Sequence, residues 1–215
     1  PPPDERLDQG ALARWLSAED LAALAQWRTR DLLPGLAARL KATAFHATAE
    51  TSVILAILDE LETAAPPSLR LVALKGAALA LCAYPDPALR SMADLDLWPP
   101  GDDFEIAQAL LVEMGFASVD KADRPRALQE LSQGEAAFRH GKWVQGIVEL
   151  HRRPLKGWWY SRTAAIDFAG IAARCRPLAE GRQLQRMADE DMALHVAAHL
   201  AVSNQFGEHV WRGFV

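Results

Sequence analysis

Asp94-Leu95-Asp96-Leu97-Trp98 alternates acidic and apolar residues, the pattern of a strand with one exposed face. Strand side chains at i and i+2 share a face, so Asp94 and Asp96 are expected to stand side by side. Two carboxylates that close repel each other unless a counter-cation is present, and a divalent metal ion resolves the conflict. Mg2+ suits the pair, because it takes oxygen ligands, keeps waters and is held by one or two carboxylates plus substrate phosphates. Glu149, in Gly146-Ile147-Val148-Glu149-Leu150-His151, offers a third carboxylate on a later predicted strand. His151 falls two residues on, on the same strand face, within reach of the same site.

Lys75-Gly76 lies where a predicted strand enters a helix. Glycine lets backbone approach a ligand closely there, and the start of a helix presents free N–H groups to a phosphate. Lys75 or Arg90 can neutralise phosphate charge, although Arg90 can equally pin its own loop. Residues 139–156 hold five basic side chains (Arg139, Lys142, Arg152, Arg153, Lys156) and one acid, Glu149. A positive border beside an acidic metal site is expected to suit a polyphosphate. Taken singly these features are weak, since an Asp-x-Asp is often a solvated strand edge and Lys-Gly is mostly a turn. Their order along one chain is what gives them weight.

The elements that must position them fall into three zones. Residues 11–63 are Ala/Leu-rich with apolar residues at helical spacing. Ser17 followed by Asp20 reads as a capping-box start, and Pro34 as the first turn of a second helix that ends at Pro66-Pro67. In the middle zone, Leu69-Arg70-Leu71-Val72-Ala73-Leu74 reads as a buried strand, followed by a short helix over 77–83 and a loop at Tyr84-Pro85-Asp86-Pro87. After the Asp-x-Asp strand, Asp102 or Asp103 is expected to cap a helix to about Met114, with Gly115 as its stop. A strand is expected over 116–119, then a charged connection, then a hairpin formed by 136–140 and 143–152. The last zone reads as helical, with Asp189 capping a helix to about Val202. The expected fold is α+β: a small mixed sheet with N-terminal and C-terminal helical flanks. The divisions are 1–67 (helical), 68–155 (core) and 156–215 (helical).

Composition narrows the function classes. The chain has 215 residues, 23 Lys+Arg against 28 Asp+Glu and a net charge of −5, which argues against a duplex nucleic-acid binder. Charged residues at 24% and 50% hydrophobic residues exclude a wholly disordered chain. Two cysteines, Cys82 and Cys175, are too few for a disulfide framework and read as reduced thiols. With no signal peptide and no apolar run near the ~20 residues of a spanning helix, the expectation is a cytoplasmic protein without membrane contact. The first residue is not Met, which suggests a trimmed chain. P-loop, Rossmann and serine-hydrolase motifs all lack their residues.

The strand–glycine–helix–loop–Asp-x-Asp order with a later third acid is similar to nucleotidyltransferases of the polymerase-β type. More closely, Leu74-Lys75-Gly76-Ala77-Ala78-Leu79, Tyr84-Pro85-Asp86-Pro87, Arg90-Ser91-Met92-Ala93-Asp94-Leu95-Asp96-Leu97 and Glu149-Leu150-His151 resemble the bacterial "uncharacterised nucleotidyltransferase" family. Leu194-His195-Val196-Ala197-Ala198-His199 resembles the paired-His helix of its C-terminal part. The resemblance covers about residues 50–210 and is densest over 71–98. It implies transfer of an NMP from an NTP, ATP foremost, to a hydroxyl of a small molecule or protein. Asp94, Asp96 and Glu149 would hold Mg2+, or Mn2+ in its place, with Lys75, Gly76 and Arg90 toward the phosphates. Gly76-Ala77 departs from the Gly-Gly or Gly-Ser of the broader superfamily, and the stretch from Gly76 to Asp94 is longer. Members continue past Val215, which implies that a C-terminal helix is missing here.

Two other classes compete: a non-catalytic nucleotide-binding or partner-recognition module on the same fold, and an Asp-x-Asp glycosyltransferase. The latter would need several βα units before its motif, and one strand precedes it. His195 and His199 lack the Glu that follows the first His in zincins and read as a structural pair. Trp158-Trp159-Tyr160 reads as packing for the third zone.

Overall fold

Helix α1 (Gln9–Ala18) starts with the Asp8 carboxylate accepting the Ala11 N–H at 2.9 Å. It ends where Asp20 adopts a left-handed φ of +57° and the Leu21 N–H returns to the Leu16 carbonyl. Ser17 and Asp20 are therefore a helix stop rather than the expected start, because Asp tolerates the left-handed conformation that closes a helix. Helix α2 (Ala22–Thr29) follows, and its N-cap, Leu21, makes no side-chain cap bond. Pro34 then opens α3 (Pro34–Ala64), a 31-residue helix about 46 Å long. These and all following features belong to a computed structural model that describes residues 8–119, 134–143, 146–155 and 164–203.

Helix α3 joins two apolar clusters. Its first half packs Leu36, Leu40 and Ala44 against Ala13, Ala22 and Ala23 of α1 and α2. Its second half contributes Ile54, Ile57, Leu58 and Leu61 to the main cluster with the sheet. That sheet has seven strands among the described residues, in the order β3-β4-β5-β2-β1-β7-β6. They are β1 (Val72–Ala73), β2 (Asp94–Trp98), β3 (Phe116–Ser118), β4 (Glu135–His140), β5 (Ile147–His151), β6 (Arg176–Pro177) and β7 (Gln185–Arg186). The pairs β2/β5 and β1/β7 are parallel and the other four antiparallel, which makes the sheet mixed. Helices α4 (Lys75–Ala83), α5 (Asp103–Glu113), α6 (Phe168–Arg174) and α7 (Asp189–Ala198) complete the α+β fold. No described helix is long and apolar enough to cross a membrane.

Several boundaries differ from the sequence expectation. β1 is two residues long, although its neighbours Leu71 and Leu74 are buried as a strand's would be. α4 starts at Lys75, two residues early, and the β6–β7 hairpin interrupts a zone that reads as helical. The hairpin is fastened by long-range contacts: Glu62 accepts from the Gln183 and Leu184 N–H groups, and Arg182 pairs with Asp59 and Glu62. Helix α7 is capped by Ala188 rather than Asp189, and a π-helical turn (His199–Ser203) continues it. The Pro99-Pro100-Gly101 stop and the Gly115 stop (φ +89°) stand where the sequence puts them, and the β4–β5 hairpin forms as expected except that β5 starts at Ile147 rather than Trp143. The expected connection over 121–134 and the aromatic run 158–160 lie outside the described residues, except Gly134.

Candidate metal and nucleotide site

Alternation along β2, β5 and β4 sorts their side chains onto two faces. Leu95 and Leu97, Val148 and Leu150, and Ala136 and Phe138 are buried in the main cluster. Asp94 and Asp96, Glu149 and His151, and Glu135 alternate with them and so share the other face. Register then brings them together: Asp96 lies opposite Glu149 in the parallel pair, and Glu135 opposite His151 in the antiparallel one. Four carboxylates thus gather on one small patch of sheet.

Asp96 is buried at the centre. Its Oδ1 accepts from Lys75 Nζ at 2.8 Å and lies 2.6 Å from His151 Nε2. His151 Nε2 is also 3.8 Å from Glu149 Oε2, and its Nδ1 faces Glu135 Oε2 at 3.9 Å without a hydrogen bond. Ligand atoms of Asp96, Glu149 and His151 lie within 4.8 Å of one another, close enough for one cation to contact all three. Two carboxylates and an imidazole are a donor set that suits a divalent ion. Asp94 is exposed on the same face and stands outside this triad. The structure places Asp96 and Glu149 beside His151, a residue that the sequence reading ranks below Asp94. Its two-residue offset from Glu149 was the signal available for it.

Two features fix the approach to the site. Lys75, the first residue of α4, has φ +42°, a conformation that costs a non-glycine residue about 1–3 kcal/mol. Its backbone is held in place by the Leu74 N–H on the Asp96 carbonyl (3.0 Å) and its side chain by the Asp96 carboxylate. The other feature is Thr51 on α3, fully buried, whose hydroxyl donates to the Arg90 carbonyl (2.9 Å) and accepts the Met92 N–H (3.2 Å). Thr51 thereby clamps the segment that leads into Asp94. Gly76 serves close packing, since a Cβ there would meet Met92 Cγ at 2.9 Å. Arg90 is buried, with Nη1 donating to the Ser91 carbonyl and the guanidinium 5.9 Å from the Tyr84 ring centre. In this conformation it pins the loop.

The expected positive border is largely engaged elsewhere. Lys142 pairs with Glu60 of α3 at 2.6 Å, and Arg152 pairs with Glu105 while lying over the Phe104 ring. Arg153 sits 5.7 Å from the Phe168 ring centre, and Lys156 lies outside the described residues. Intramolecular acids and rings attract these cations because α3 and α5 carry them beside the hairpin, which the local sequence does not reveal. Helix α7 contributes His195, buried and, among the described residues, with neither ring nitrogen hydrogen-bonded. Burial pushes its pKa down to about 3, with the nearby Lys75 charge adding to the effect.

A family-level comparison matches residues 5–212 to "Uncharacterised nucleotidyltransferase". The chain belongs to this nucleotidyltransferase family. The match spans the helical flanks as well as the sheet, and the mixed α+β architecture agrees with a nucleotidyltransferase-type fold. No curated protein and no solved structure matches. Family membership carries a nucleoside triphosphate as the substrate class, and the Asp96–Glu149–His151 cluster is compatible with a divalent cation beside it.

Proposed function

We propose that the protein transfers a nucleoside monophosphate from an NTP, ATP first among them, to a hydroxyl of a small molecule or a protein, in a reaction dependent on a divalent cation. The observation that carries this reading is the in-register pairing of Asp96 with Glu149, two residues along from exposed Asp94, in a chain of this family. When bound, the cation, Mg2+ or Mn2+, supplies charge neutralisation to the triphosphate. Asp94 at the rim and Asp96 and Glu149 on the floor would hold it. Lys75, whose ammonium lies against Asp96, would be within the site to neutralise phosphate charge, with the α4 N-terminus at Lys75-Gly76 adding N–H donors. Arg90 holds the loop in register rather than touching phosphate. The acceptor oxygen attacks the α-phosphorus in line, its proton passes to Glu149, and the bond to the β-phosphate oxygen breaks to release pyrophosphate.

The test is incubation of the protein with α-labelled NTPs and a divalent cation in cell extract, followed by a search for labelled acceptor. Transfer that depends on the cation and disappears in Asp94→Ala plus Asp96→Ala is the expected result; transfer surviving the double substitution sinks the assignment. One observation favours a second reading, a non-catalytic nucleotide-binding module: Asp96 Oδ1 is already engaged by both Lys75 and His151. Cation-dependent NTP binding without label transfer supports that reading instead, and transfer from a sugar nucleotide supports a glycosyltransferase.

A further inference from the structure

Three-carboxylate sites present only oxygen to a cation, and this cluster does not. Its third member is the imidazole of His151, fully buried, with Nε2 within 4 Å of both Asp96 and Glu149 oxygens. The large majority of buried side-chain nitrogens have a hydrogen-bonding partner, so an unmatched one calls for an explanation. Here Nδ1 has no hydrogen bond among the described residues, yet the Glu135 carboxylate faces it at 3.9 Å from the neighbouring strand, placed there by the Glu135–His151 register. Nε2, 2.6 Å from the Asp96 carboxylate, carries the ring proton and donates it there; with a cation bound the ring proton would sit on Nδ1, where the Glu135 carboxylate is placed to receive it, leaving the Nε2 lone pair for the ion. That is the arrangement by which proteins orient histidine ligands of metals, with a carboxylate holding the far nitrogen. Mg2+ strongly prefers oxygen and keeps its waters, whereas first-row transition-metal ions accept an imidazole nitrogen more readily, and Mn2+ is the one of them that also takes the carboxylate-rich donor set of this site.

We propose that His151 Nε2 is a direct ligand of the cation site together with Asp96 and Glu149, that Glu135 is its positioning residue, and that the site therefore selects Mn2+ over Mg2+. This rests on the reading of the cluster as a cation site but not on any transfer activity. The experiment uses the full chain stripped with a chelator and titrated with Mn2+ alone, with no nucleotide present. Free Mn2+ is followed by electron paramagnetic resonance, and the bound ion is examined for electron spin-echo modulation from 14N.

The expected result is one Mn2+ bound with 14N modulation, and Mg2+ competing at least ten-fold more weakly. His151→Gln abolishes the modulation. Glu135→Gln weakens Mn2+ by about ten- to a hundred-fold while leaving the modulation in place. Should His151→Gln not fold, the His195→Gln chain labelled with 15N-histidine serves in its place. Replacement of the 14N pattern by a 15N one there marks a histidine ligand other than His195, and retention of 14N overturns the proposal. Mn2+ bound without nitrogen modulation, or with modulation that survives in a folded His151→Gln, means an all-oxygen site. That outcome overturns this proposal and leaves the nucleotidyltransferase reading standing. No Mn2+ binding at all also overturns this proposal, and the label-transfer test alone then decides the nucleotidyltransferase reading.

Discussion

The two faces of strands β2, β5 and β4 are built from alternating residues of the same few segments, yet they do opposite things. One face, with Leu95, Leu97, Val148, Leu150 and Phe138, closes into the main apolar cluster beside α3 and α5. The other concentrates Asp94, Asp96, Glu135 and Glu149, with Lys75 and His151 placed against Asp96. Apolar burial on the first face supplies the rigidity that holds like charges together on the second. Charge gathered this way has no stabilising role of its own, since buried carboxylates are tolerated only when paired or bound to cations. The comparison teaches that fold and site can be broken separately.

The largest effect is expected from the charged face. Asp96→Asn should lower label transfer by about 10^3-fold or more, through loss of the central carboxylate, with the circular dichroism spectrum retained. From the apolar face, Phe138→Ala should cost about 3–5 kcal/mol in urea unfolding, because the ring is fully buried. Asp94→Asn sharpens the contrast: an exposed strand residue, its loss should leave the urea midpoint nearly unchanged while label transfer falls. Thr51→Val probes the clamp between the two, and should cost about 1–3 kcal/mol by removing the partner of the Arg90 carbonyl and the Met92 N–H.

The last effect concerns pH. His195 is neutral in the fold, with its pKa pushed down to about 3, and regains an ordinary value on unfolding. Below about pH 6.5 the unfolded chain binds the extra proton, so stability falls as pH drops from there toward 3, by at most about 1.4 kcal/mol per unit. Urea unfolding in chelator at pH 7, 6 and 5 should show a shallower slope for His195→Gln than for the unsubstituted chain.

What the sequence made legible follows from how local each signal is. The period-two alternation of Asp94 to Trp98 and the acid–apolar pattern of Glu149-Leu150-His151 are intrinsic to their segments, and the strands stand where they were expected. Partner choice is not local. That Asp96 meets Glu149 depends on β2 and β5 being parallel neighbours, and that Glu135 backs His151 depends on the hairpin register. The basic run looked like a phosphate border because its acids, Glu60 and Glu105, are far away in sequence. The β6–β7 hairpin escaped notice for the same reason: its strands are two residues each and are held by Glu62 and Arg182 contacts to α3. Ser17–Asp20 was misread because one motif of small polar residues can open a helix or, through a left-handed Asp, close one.

The central claim is that the charged face moves a nucleotidyl group, and paired incubations with ATP labelled at the α- or the γ-phosphate test it most directly. The account predicts label in the acceptor from α-labelled ATP alone, with the γ label recovered in pyrophosphate. Acceptor labelled from the γ position, or from neither with Mg2+ and with Mn2+, would contradict it.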